Sequence, residues 1–178
     1  MYSQCAASTR PPRSSWAASN AKLASGVARL RDMLDRGIRV GLGTDGPASN
    51  DGLDLLADAR LAAMLARLAA GDAMALSAAE ALWLATGGAA DAIGRPDLGQ
   101  LVPGRRADLV HVDSHDLVFE PVGDAGDVLS HLVWSPSSRS VSDVWVGGRQ
   151  VVSGGVCTSV DAEALRADVA ARAARLAG

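Results

Sequence analysis

Ile38-Arg39-Val40-Gly41-Leu42-Gly43-Thr44-Asp45-Gly46-Pro47-Ala48-Ser49-Asn50 is the stretch on which the reading of the fold turns. Its first five residues are short, apolar and partly β-branched, and Gly43-Thr44-Asp45-Gly46 closes them as a turn, which predicts a buried strand over 38–42 running into a loop. Upstream, Leu23, Val27, Leu30, Met33 and Leu34 recur at three- and four-residue steps, so an amphipathic helix is expected over 23–36, stopped by Gly37. Helix and strand together make one αβ unit. Downstream, Asn50 or Asp51 can cap a helix whose apolar face is Leu53, Leu56, Leu61, Met64, Leu65 and Leu68, ended by Gly71. Ser77-Ala78-Ala79-Glu80 is a capping box for another helix through Leu82 and Leu84 to a break at Gly87-Gly88, with a last turn to Ile93-Gly94.

After Pro96 the texture changes. Gly99, Pro103 and Gly104 punctuate the chain, then residues 107–113 and 141–146 read as strands, and Gly147-Gly148 turns the second into Arg149–Ser153 as a hairpin. The connection 114–140 is expected to hold a short strand near Leu132–Trp134, and Asp161–Leu176 an Ala/Arg-rich helix. Residues 1–18 have no period, and Pro11-Pro12 forbids a helix or central strand, so disorder is expected there. The expected organisation is a lead over 1–18, helical and αβ units over 19–96, a β portion over 97–160 and a terminal helix over 161–178.

Composition bounds the function. The 178 residues are 48% hydrophobic and 21% charged, the balance of a soluble globular chain. A complete eightfold α/β barrel, of typically ~250 residues, does not fit. Lys+Arg 17 against Asp+Glu 20 gives a net charge of -3, with Lys22 the only lysine, so nothing favours nucleic acid or an anionic membrane as partner. Cys5 and Cys157 make neither a disulfide framework nor a zinc-finger spacing. Without a signal-peptide core or a run of ~18 apolar residues, the expected address is the cytoplasm.

Gly41-Leu42-Gly43-Thr44-Asp45-Gly46 fits the pattern of a dinucleotide-binding loop. That loop needs its last glycine to open a helix and an acid ending a second strand ~20 residues on. Here Pro47–Asp51 intervenes, and the positions at that distance fall inside the Leu53–Leu68 helix. Two readings of Asp45 then stand: a plain Asp-Gly turn residue, or a carboxylate at the C-terminal end of a parallel strand, where the mouth of an α/β barrel holds ligands and metals.

An ordered series of residues bears on the choice. Ser19-Asn20-Ala21-Lys22-Leu23-Ala24-Ser25-Gly26, then Gly41–Asn50, Ala85-Thr86 with Gly88-Ala89, Gly99–Gly104, Ala107–Val110, His131-Leu132-Val133 and Val144–Arg149 together resemble the amidohydrolase superfamily. The nearest branch is that of the S-adenosylhomocysteine and methylthioadenosine deaminases, with guanine-type deaminases and triazine hydrolases beside it. The resemblance covers roughly residues 19–155. It implies an α/β fold in which this chain is the last part of a metal-dependent (β/α)8 barrel, with its eighth strand at 38–43, followed by the C-terminal share of a small β-sandwich. It implies Asp45 as metal ligand and proton acceptor, and Ser49, Asn50, Ser19 and Asn20 as the substrate-end residues of the pocket. The implied cofactor is Zn2+ or Fe2+, the implied reaction hydrolysis of a C–N bond in a small purine-like or other heteroaromatic substrate, with ammonia leaving.

The family's His-x-His pair and later histidine ligands have no counterpart here. His111 alternates with Val110 and Val112 in a strand, His115 sits in a loop and His131 matches a sandwich position, so none is a ligand candidate. Where the family has His-Cys-Pro before Ser-Asn, this chain has Ser15-Trp16-Ala17. A lead unlike the family followed by a mid-barrel start points to a truncated or frame-altered product, inactive alone because one carboxylate cannot supply the roughly four groups of a zinc site. The alternative is a non-catalytic remnant or interaction module, prone to self-association or aggregation through uncovered barrel surfaces. Trp83, Trp134 and Trp145 read as core, the terminal helix as a solvated face, and Cys157 as an inert edge cysteine.

Overall fold

The computed structural model describes residues 13–135 and 137–177. A short parallel pair forms the start: β1 (Arg13–Ser15) lies beside β2 (Val40–Leu42) in the register Arg13↔Val40, Ser14↔Gly41, Ser15↔Leu42. The Gly43 N–H continues the ladder by donating to Ser15 O at 3.1 Å. The strand expected at 38–42 is therefore present but shorter, and its partner comes from the stretch expected to be disordered. Residues 13–18 are ordered because β1 supplies backbone groups that the apolar β2 needs; Pro11-Pro12 and Cys5 lie outside the described residues.

The helix expected over 23–36 is two pieces. α1 (Ala17–Lys22) starts earlier, and α2 (Leu30–Asp35) occupies only the second half. Between them Ala24 and Gly26 take left-handed backbone, which no helix accommodates, and Leu23 and Val27 are exposed. Gly37 does end α2: its N–H donates to Leu34 O and that of Ile38 to Met33 O, the paired bonds that a left-handed glycine makes possible.

α3 (Leu55–Ala70) begins at Asp54, not at Asn50 or Asp51; the Asp54 carboxylate accepts from the N–H groups of Leu56 and Ala57 at 3.0 Å each. Its buried stripe is Asp58, Ala59, Ala62, Ala63 and Ala66. The leucine face expected from periodicity flanks that stripe: Leu61 and Leu65 are partly buried against the core, while Leu53, Met64 and Leu68 are exposed, Leu68 by 78%. Alanines let α3 approach its neighbours closely, which leucines on that side would prevent. The Ser77/Glu80 capping box opens α4 (Ala78–Ala85) as expected, and Thr86 separates it from α5 (Gly87–Ala92). Trp83 is not core: it is 48% exposed and lies over Gly87 and Gly88.

The second sheet is antiparallel, in the order β3 (Leu109–Val112), β4 (Val141–Val146), β5 (Arg149–Ser153), β6 (Val156–Cys157). Gly147 and Gly148, both at positive φ, form the expected hairpin turn. The strand expected at Leu132–Trp134 is instead the end of α6 (Ala125–Trp134), begun by a reciprocal Asp124/Asp127 capping box. α7 (Ala162–Ala177) carries no buried residue. No helix among the described residues is long and apolar enough to cross a membrane. The core lies between β2, α3, α4 and α6, around Leu30, Val40, Leu42, Leu76, Leu84 and Val133 with the alanines of α3.

Candidate functional site

Because β1 and β2 are parallel, their C-terminal ends open on the same side, and the segments that leave them meet there. β1 runs into α1 with Ser19, and β2 runs into the turn with Asp45. Asp45 sits at φ 61°, a left-handed position that aspartate tolerates better than most residues. Its Oδ2 accepts two hydroxyl hydrogen bonds, from Ser19 Oγ at 2.8 Å and from Ser49 Oγ at 2.6 Å. Ser49 is held by its own N–H on Gly46 O at 3.1 Å, and the Asn50 N–H shares that acceptor at 3.0 Å.

Hydrogen bonds to the charged form favour it. Those from Ser49, then Ser19, then the Gly46 amide hold the Asp45 carboxyl below its ordinary value, against a small opposing effect of burial. Asp45 is thus an exposed carboxylate, ionised at neutral pH and acceptor-only, suited to hold a cation or orient a hydroxyl.

Of the five residues expected at the site, Asp45, Ser49 and Ser19 are brought into direct contact. Asn50 sits one step away: its Nδ2 donates to Thr44 O at 2.9 Å and to Asp58 Oδ2 at 2.7 Å. Asn20 instead lines a narrow cleft with Ser15, Ala17, Val27 and Leu65. Ser19 and Asn20 lie on α1. Lys22 Nζ pairs with Asp51 at 2.7 Å across the surface of the same region.

Sequence reasoning missed Asp58. It is 2% exposed on the buried stripe of α3, and its Oδ1 accepts the Ala18 N–H at 2.9 Å. An acid spaced one turn from Ala62 and two from Ala66 was the available signal.

The histidines lie elsewhere. His111 Nδ1 is 2.7 Å from Ser142 Oγ and 3.4 Å from Asp143 Oδ2, so serine and aspartate meet the same ring nitrogen and no nucleophilic relay is formed. His115 bonds Asp113 in its loop, and His131 Nε2 lies 3.1 Å from Pro121 O with its ring edge-on to Phe119. Among the described residues no group of three or more His, Cys, Asp or Glu could hold a metal ion. One carboxylate and two hydroxyls do not fit zinc, which takes about four nitrogen, sulfur or oxygen ligands.

The profile of the Amidohydrolase family matches residues 5–151. Likeness therefore begins in the lead expected to be foreign, ahead of residue 19. The chain is similar to a 5-methylthioadenosine/S-adenosylhomocysteine deaminase of Pelotomaculum thermopropionicum, 42% identical over 158 residues, which are 89% of this chain and 36% of that protein. It superposes on a zinc-bound adenosine deaminase of Xanthomonas campestris with a TM-score of 0.85 and 37% identity, over 91% of this chain and 36% of the other. A zinc complex of atrazine chlorohydrolase from Arthrobacter aurescens gives a TM-score of 0.81 at 37% identity, over 90% and 35%. The chain spans about a third of the length of the curated relatives it matches.

Proposed function

Because the chain belongs to the amidohydrolase family, we propose that it is the closing segment of a metal-dependent deaminase that hydrolyses a C–N bond of a purine-like or related heteroaromatic ring. In this reading β1 and β2 are neighbouring strands of the barrel, residues 97–160 are its share of a β-sandwich, and the C-terminal strand ends form part of the pocket floor. The observation that carries it is the Asp45 carboxylate, presented at the end of a buried parallel strand and gripped by Ser19 and Ser49.

Asp45 would contribute one ligand and an acceptor for a proton. Ser19 and Ser49 would hold that carboxylate in place, with Asn50 shaping the loop and Asn20 lining the adjoining cleft. Zinc or iron is the cofactor of this reading, yet the donors present do not hold such an ion by themselves. The chain by itself is therefore expected to be inactive, its partner being the polypeptide that brings the histidines.

The donor deficit also favours a second reading, a non-catalytic module that associates with another chain. Leu68, Met74 and Ile93 are large apolar side chains left at the surface, as such association requires.

The two are separated by co-expressing the chain with the first two-thirds of a relative such as the Pelotomaculum deaminase. A defined complex that retains zinc or iron and releases ammonia from 5′-methylthioadenosine or a related aminopurine nucleoside, and loses turnover in Asp45→Ala, supports the deaminase segment. A metal-free complex without turnover leaves the interaction module. Full turnover in Asp45→Ala refutes the role given to that residue.

A further inference from the structure

Every other member of the buried stripe of α3 is alanine, and Asp58 interrupts it with a carboxyl group 2% exposed. A buried carboxyl is costly unless its oxygens are bonded, so its partners identify what it is for. Oδ1 takes the N–H of Ala18, the residue before Ser19. Oδ2 takes Nδ2 of Asn50, the residue after Ser49. The same Asn50 amide also reaches Thr44 O, the residue before Asp45. Three bonds thus fasten the chain neighbours of all three members of the Ser19, Ser49, Asp45 contact.

We propose that Asp58 is the positioning residue of this site: from a rigid helix it sets the convergence of Ser19 and Ser49 on Asp45 while touching none of them. The β1–β2 ladder brings the two segments, α1 and the turn after β2, to the same end of the sheet, but beyond Ser15 and Gly43 their relative placement without Asp58 would rest on the exposed Lys22–Asp51 pair and ordinary packing. A helix anchor defines such a geometry better than a loop can. The catalytic importance of this arrangement rests on the reading of Asp45 given above; the arrangement itself does not.

The test is site-resolved amide exchange on the full chain, comparing wild type with Asp58→Asn and Asp58→Ala. Asparagine keeps an oxygen for the Ala18 N–H but sets its own NH2 against that of Asn50, donor to donor. The N–H groups of Ser49 and Asn50 should exchange about tenfold faster in Asp58→Asn, the factor for one lost hydrogen bond, while Ala18 keeps its protection. In Asp58→Ala all three should speed up. The β4–β5 hairpin should be unchanged in both.

Uniform acceleration that includes the hairpin, or unchanged rates at Ser49 and Asn50, would reduce Asp58 to a packing residue and overturn the proposal. Should both variants fail to fold, the wild-type Asn50 side-chain NH2 decides: slow exchange supports the proposal and solvent-like exchange refutes it. Local loosening in a chain that never yields an active complex would sink the deaminase reading and leave the positioning role standing.

Discussion

Gly41→Ala tests whether the strand that delivers Asp45 owes its place to helix packing. An added Cβ at position 41 would stand 2.8 Å from Ala89 Cα, 3.2 Å from Ala89 Cβ and 3.5 Å from Ala92 Cβ. Carbon atoms rest at ~3.5–4.0 Å, so α5 would have to withdraw by roughly 1 Å. The nearest atom is backbone and cannot rotate aside, which places the overpacking cost in the upper part of the usual ~1–3 kcal/mol. Alanine recovers ~0.5–1 kcal/mol of the backbone entropy that glycine forfeits in a strand. The net loss should be about 1–2.5 kcal/mol, or roughly 2–10 °C in Tm for a chain of this size. Thermal unfolding by circular dichroism, with urea titration alongside, reads it. Gly46→Ala is the control: open space surrounds its Cβ, and its Tm should hardly move. Ala89→Gly in the Gly41→Ala background removes the 3.2 Å contact but leaves the 2.8 Å one, so rescue should be partial. A Gly41→Ala chain as stable as wild type would refute the packing argument.

Asp54→Ala removes the acceptor for two N–H groups at the start of α3 and should cost about 1 kcal/mol in urea unfolding; an unchanged midpoint would return the cap to Asn50 or Asp51. Burial alone would raise Glu80, but the Ser77 amide and hydroxyl, with Arg31, outweigh it and hold the carboxyl below its ordinary 4.5. The folded state then binds the proton less readily than the unfolded one, so this contribution is complete above 4.5 and fades as pH falls through the lower folded value; Glu80→Gln should flatten the acid side of the stability profile. Asp97, bonded by both Nε and an Nη of Arg95, is held at about 2. Its stabilisation, small because the pair is exposed, should disappear between 3.8 and about 2, and Asp97→Asn should remove that part of the acid dependence.

What could be read from the residues was what local chemistry decides. The Val40–Leu42 strand, the Ser77/Glu80 box and the Gly147-Gly148 hairpin each depend on a few adjacent side chains, and each is present. The Leu132–Trp134 strand failed because three apolar residues say little about period, whereas Asp124 and Asp127, at capping-box spacing, had the stronger local claim. A continuous helix over 23–36 does not form, because apolar spacing says nothing of Ala24 and Gly26, where the backbone turns left-handed. At the site, Ser49 lies four residues from Asp45 and was within local reach, while Ser19, 26 residues away, followed only from the family order of motifs. Asp58 bonds a backbone group 40 residues distant, a partner that no periodicity can supply.

The face that α3 buries explains why that last contact exists at all. Alanine contributes much of the core, with Ala59, Ala62, Ala63 and Ala66 on α3, Ala81 and Ala85 on α4 and Ala17 on α1. Small side chains bury little area each, so such a core gains less from transfer out of water than a leucine core would. They do allow close approach. α1 lies near enough to α3 for a side chain as short as aspartate to bond an α1 backbone amide at 2.9 Å, and β2 lies near enough to α5 that any Cβ at position 41 would force α5 to shift. A leucine-lined α3 would push α1 outward beyond the reach of Asp58 and carry Ser19 away from Asp45. The alanine stripe and the buried acid within it thus act together: the stripe sets the separation, and the acid converts that separation into a fixed placement of the two hydroxyls.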